Sequence, residues 1–134
     1  MDINVTSYGS TSSSSSVRLI HGSDEVSVNW IRTQGLSAER LLAIPGAFAF
    51  CTTTNRKTGL GYAFMNPYRG TPALLEFDVP AEWIRAVLTN PTLAERDIQD
   101  QAYLFYPPVF PEMNYVMTNF SVQKVTNLDL TFDE

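Results

Sequence analysis

Cysteine and histidine are almost missing from this chain: Cys51 and His21 are the sole examples in 134 residues. A single cysteine excludes an intramolecular disulfide, and the two residues together supply too few soft ligands for a structural zinc site. Long apolar runs are missing as well. No stretch approaches the roughly 18 residues needed to cross a bilayer, and residues 1–16 have neither the basic start nor the apolar segment of a signal peptide. The expectation is a cytoplasmic chain with no membrane partner and no metal. Positive charge is scarce too: nine Lys and Arg face fourteen Asp and Glu, for a formal charge of −5. That sign is opposite to the footprint of a nucleic-acid binder, which makes nucleic acid the weaker expectation for a partner.

What is present suffices for one folded domain. Hydrophobic residues make up 44% and charged residues 17%, so the body can bury a core, and the length leaves room for a single core of useful size. Residues 9–16, GSTSSSSS, carry no apolar side chain to offset the entropy of ordering them. Residues 1–16 therefore read as a flexible leader and residues 17–134 as the domain.

Within that domain, residues 17–21 (VRLIH) have strand chemistry and end at Gly22. Ser23 then stands as N-cap before Asp24 and Glu25, and Val28 and Ile31 fall at helical spacing until Gly35. Residues 47–53 read as a strand, and Thr54 or Asn55 caps a short helix that runs to about Met65. Leu75, Phe77 and Val79 share one face of a core strand over residues 71–79, and Pro80 opens the helix AEWIRAVL, which Asn90 and Pro91 break. Residues 92–101 read as helical but charged. Residues 103–111, YLFYPPVFP, hold three prolines and four aromatics in nine residues and read as an irregular aromatic loop. Strands over 115–120 and 121–130 close the chain. The element order gives an α+β fold with a mixed or antiparallel sheet and short flanking helices.

Three segments carry candidate chemistry. His21-Gly22-Ser23 lies at a strand end before a helix, where a glycine lets a ligand approach the backbone and the helix supplies unpaired N–H groups. A buried, hydrogen-bonded histidine before a routine turn fits the same residues. Residues 46–52 (GAFAFCT) are followed by Gly59-Leu60-Gly61-Tyr62, whose two glycines lack the third of a dinucleotide fingerprint. Phe48 and Phe50 are two apart on a strand, so both fit a shared core face. Glu112-Met113-Asn114 follows the aromatic loop and leads a strand, where a lone glutamate also fits a solvated strand start.

Taken in order, the histidine-glycine-serine strand end, the helix closing on Gly35-Leu36, the G-x-F-x-F strand, the short helix with a tyrosine and the late acidic motif resemble the ADP-ribosyltransferase superfamily. The similarity is to the branch of poly(ADP-ribose) polymerase and diphtheria-toxin-like catalytic domains, and it covers roughly residues 17–126. It implies a split mixed or antiparallel sheet with NAD as co-substrate and no metal. By this resemblance His21 matches the histidine that hydrogen-bonds a ribose of NAD, and Gly22 the glycine whose backbone pairs with the nicotinamide amide, with Ser23 beside them. Phe48 or Phe50 stands where the signature has its first tyrosine, and Tyr62 matches the later aromatic that stacks on nicotinamide. Segment 103–111 resembles the loop that recognises the acceptor, with Tyr106 and Phe110 as its candidates. Glu112-Met113-Asn114 resembles the Q/E-x-E motif, with asparagine where the catalytic glutamate belongs, so Glu112 and Asn114 are the catalytic candidates. The implied function is NAD-dependent mono-ADP-ribosyl transfer to a macromolecular acceptor, a protein, with release of nicotinamide, as in a toxin-like effector. The alternatives are a catalytically silent module that binds NAD or ADP-ribose, and a protein-interaction module whose aromatic loop is a docking surface.

Overall fold

The described residues, 15–65, 70–99 and 101–125 of a computed structural model, begin with β1 (Ser16–Asp24), α1 (Glu25–Gln34), α2 (Ala38–Leu42) and β2 (Phe50–Thr53). There follow α3 (Arg56–Met65), β3 (Pro72–Pro80), α4 (Ala81–Val87), β4 (Ala94–Asp97) and β5 (Ala102–Phe105). A 3-10 turn (Pro107–Val109), α5 (Phe110–Val116) and β6 (Thr118–Lys124) complete them. The strands form one antiparallel sheet in the order β4-β5-β2-β1-β3-β6, so the α+β class holds. Its spine is the β1–β3 pair, in register from Ser16 opposite Pro80 to Asp24 opposite Pro72.

Strand alternation divides the core between two faces. On one face Leu19, Leu75, Phe77 and Val79 meet Val28 of α1, Trp83 and Ile84 of α4, and Phe110 and Met113 of α5. On the other, Ile20 and Leu74 meet Leu60 and Ala63 of α3. Burying each large apolar side chain of this kind contributes about 1.5–3 kcal/mol. The second face continues beyond α3 as a charged lattice in which Arg18 reaches Glu76 and Asp78, and Arg56 also reaches Glu76.

Helix α3 lies unusually close to the sheet. A Cβ on Gly22 would stand 2.0 Å from Gly59 O and 2.8 Å from Ala63 N, and a Cβ on Gly59 would stand 2.7 Å from Ile20 Cγ2. Gly22 and Gly59 are therefore packing glycines. Gly61 faces open space.

Several expectations are corrected. The first strand does not stop at His21 but includes Gly22, Ser23 and Asp24, and the N-cap of α1 is Asp24, not Ser23. The Asp24 carboxylate accepts from Ser27 N at 2.8 Å and from Ser27 Oγ at 3.1 Å, and its negative charge suits the helix start. The leader also gives up its end to the fold: Ser15 O accepts from Ala81 N at 3.0 Å, and Ser16 pairs with Pro80. Residues 1–14 lie outside the described residues. The second strand begins at Phe50 rather than at residue 47, because the chain is still turning at Gly46, where φ is +81°.

The region after α4 differs most. Residues 94–97 are strand β4 rather than helix, because Asn90 Oδ1 accepts from Thr92 N and turns the chain back to pair with β5. Residues 102–105, of which 103–105 belong to the expected aromatic loop, form an interior strand paired with both β2 and β4. They precede the first proline, so no ladder donor is missing. Pro107, Pro108 and Pro111 lie in the 3-10 turn and the first turn of α5, where a missing N–H costs little. Glu112-Met113-Asn114 is consequently helical and does not lead a strand. Tyr115 and Val116 finish that helix, and the last described strand starts at Thr118. The part of the final strand expected over 126–130 lies outside the described residues.

The close approach of α3 gives a paired test. Gly22→Ala should destabilise by about 3 kcal/mol, because its new methyl meets backbone. Gly61→Ala, inside the same helix and facing open space, should stabilise by up to about 1 kcal/mol. Urea unfolding midpoints of the two variants should move in opposite directions.

Candidate functional site

Strands β1 and β2 share a single register pair, Ile20 opposite Thr53. One residue further along β1, the His21 ring takes over: its Nδ1–H donates to Cys51 O at 2.7 Å. A carbonyl only accepts, so Nδ1 holds the proton and the neutral ring keeps its lone pair on Nε2. The ring packs against Phe50, centroid to centroid 4.4 Å. Burial pulls the imidazole below its ordinary value of 6.5, against the opposing effects of the Cys51 carbonyl and the Asp24 charge.

A cavity of about 260 Å³ opens where the strands part. One side comes from His21 and Ser23 of β1 and from Phe50 and Cys51 of β2. The facing side comes from Trp30 and Ile31 of α1, the 35–37 linker, and Arg40 of α2, with Phe110 of α5 completing the wall. The volume lies just under the range of about 300–1,000 Å³ usual for whole small-molecule sites, so it suits one ring with a substituent. No aspartate or glutamate is among the described lining residues.

The linker wall is fixed by Asn114. Its Oδ1 accepts from Leu36 N at 2.7 Å and its Nδ2 donates to Leu36 O at 3.0 Å, as a neighbouring strand would. Gly35 turns at φ +86°, and a Cβ there would come within 3.0 Å of the Asn114 amide. Glu112, two residues earlier, faces another way and accepts from Nε1 of the fully buried Trp83 at 2.8 Å.

Of the residues singled out in the sequence, His21, Ser23, Phe50 and Phe110 meet at the cavity. Gly22 lies in the same stretch of β1, with its missing Cβ turned towards α3. Tyr62 belongs to α3, which packs on the other face of the sheet, and it is not among the cavity residues. Glu112 and Asn114 are not among them either; both side chains are engaged in holding α5 and the linker. Phe48 is 59% exposed beside the cavity, with its ring 6.4 Å from that of Tyr106. The Tyr106 hydroxyl donates to Glu95, and that bond, with smaller effects of burial and charge, pushes its pKa up to about 12.

Sequence reasoning missed Trp30 and Arg40. Trp30 falls between Val28 and Ile31 on α1, off the stripe that periodicity identifies, and Arg40 lies in a helix of five residues with no apolar period to reveal it. The Cys51 thiol is pushed up by burial, which keeps it protonated and poorly nucleophilic.

No family model, no curated protein and no solved structure matches this chain.

Two outcomes follow from this geometry. Glu112→Ala should destabilise by about 1–3 kcal/mol by leaving the buried Trp83 N–H without a partner, whereas Glu112→Gln, which retains an acceptor, should cost less; equal unfolding midpoints for the two would refute the assignment. His21 stays neutral in the fold and protonates in the unfolded chain, so below 6.5 the unfolded state binds more protons and stability falls with falling pH. The urea midpoint should therefore drop between about pH 7.5 and about pH 5.5, and His21→Gln, which removes the chain's one histidine, should lose most of that slope.

Proposed function

We propose that this chain is an ADP-ribosyltransferase-like domain that binds NAD through its nicotinamide end and holds it without an efficient transfer step. The observation that carries this reading is the parting of β1 from β2 beside the His21–Cys51 bond. A strand edge left by its neighbour offers backbone donors and acceptors, and a carboxamide has the same pair of groups as the peptide it replaces. The adjoining cavity is largely apolar, takes one ring, and adds the Nε2 of His21 and the Ser23 hydroxyl as polar groups.

The composition of the same cavity supports binding over cleavage in this reading. Breaking the bond between nicotinamide and ribose develops positive charge on the sugar, and a carboxylate at the ribose is what stabilises it. The described lining supplies none, and Glu112 is occupied by Trp83. Asn114 holds both backbone groups of Leu36, is not among the cavity residues, and as an amide carries no charge to set against that of the sugar.

Calorimetry with NAD, beside chromatographic assay of nicotinamide release, tests the reading. NAD should bind, His21→Ala should weaken it about tenfold or more through loss of a directed hydrogen bond, and nicotinamide release should stay at the level of buffer alone. Sustained release would make the chain a working transferase. Absence of binding to both NAD and ADP-ribose would return it to the interaction class.

A further inference from the structure

Among the described residues, the ionisable groups lining the cavity are His21, Arg40 and the protonated Cys51 thiol, in a chain whose acidic residues outnumber its basic ones. Arg40 is half-buried, with its guanidinium carbon 3.7 Å from the centroid of the Trp30 ring, and Trp30 is 39% exposed. The two residues therefore stand where the cavity meets solvent. Arg18, Arg56 and Lys124 each pair with a carboxylate, whereas Arg40 makes no ion pair among the described residues.

We propose that Arg40, held against Trp30 at the rim of the cavity, is the site that binds the phosphate of a ligand whose ring occupies the cavity. This rests on the ring-binding reading above. Stacking engages the face of a guanidinium and leaves its in-plane N–H donors at the edge, so an aromatic platform and a bidentate phosphate use different directions of the same group. The platform also restricts the rotamers of a side chain that otherwise loses considerable freedom on binding. The backbone beneath is fixed as well: Arg40 N donates to Ser37 Oγ at 3.2 Å, and the neighbouring Leu36 is clamped by Asn114. The carboxylate of Asp24, whose charge acts on His21, is buried and accepts two bonds from Ser27.

The test compares nicotinamide, nicotinamide mononucleotide and NAD by calorimetry on the parent protein, Arg40→Gln and Arg40→Lys. Circular dichroism and unfolding midpoints establish that the variants remain folded. Nicotinamide, which carries no phosphate, should bind the parent and Arg40→Gln alike. The phosphate-bearing ligands should bind the parent about 10- to 100-fold more tightly than nicotinamide, lose that advantage in Arg40→Gln and keep part of it in Arg40→Lys. The advantage should shrink as salt is raised. If nicotinamide binds but the phosphate adds nothing, or Arg40→Gln loses nothing, the phosphate site is wrong while ring binding stands. If none of the three ligands binds the parent, ring binding and the phosphate site fail together.

Discussion

Strand β1 is paired along its whole length on one edge and at one position on the other, and the architecture of the cavity depends on that inequality. Full pairing with β2 would close the sheet and fill the space with backbone. The strands part because His21 intervenes: its Nδ1–H supplies the Cys51 carbonyl with the hydrogen bond that a strand partner would otherwise give. On the opposite face Gly22 lets α3 lie against the same strand at backbone distance, which locks β1 from behind. One three-residue segment thus anchors a helix with its glycine and opens a cavity with its histidine and serine.

The opposite wall has no sheet to hold it. Residues 35–37 connect two helices, and a linker of this kind is free to move unless its backbone groups are tied down. Asn114 does so with a donor and an acceptor on one side chain, while the bond from Trp83 to Glu112 fixes the helix that carries Asn114. Residues whose pattern suggested an acidic catalytic motif therefore act in the fold as a brace. An ionised glutamate in place of Asn114 has no N–H to offer the Leu36 carbonyl, so the residue type is set by the wall it supports.

The parts of this fold that were legible in sequence are those in which local chemistry and tertiary packing agree. The alternation of Leu75, Phe77 and Val79 marks β3, and Val28, Ile31 and the positive-φ Gly35 mark the body and end of α1. Asn55 caps α3 by accepting from Thr58 N. The illegible parts depend on partners distant in the chain. Strand β5 has only four residues before a proline-rich stretch, and its identity comes from β2 and β4 on its two sides. At the site, His21, Ser23 and Phe50 were visible because they are consecutive or alternate in strands. The Trp30–Arg40 stack was not, because it joins two helices through a turn whose course the sequence does not reveal.

A cavity accelerates a reaction only by gripping the transition state more strongly than the ground state. On the proposed reading, apolar walls, an imidazole held neutral by burial and a strand edge would grip a flat amide equally before and after its bond to a sugar is stretched. The developing positive charge on the sugar would meet no compensating carboxylate in the described lining, and Arg40 at its rim carries the same sign as that charge. On the proposed reading, in which NAD is the ligand, this lining supports retention over cleavage, while Glu112 bonds Trp83 and Asn114 braces the linker behind the cavity.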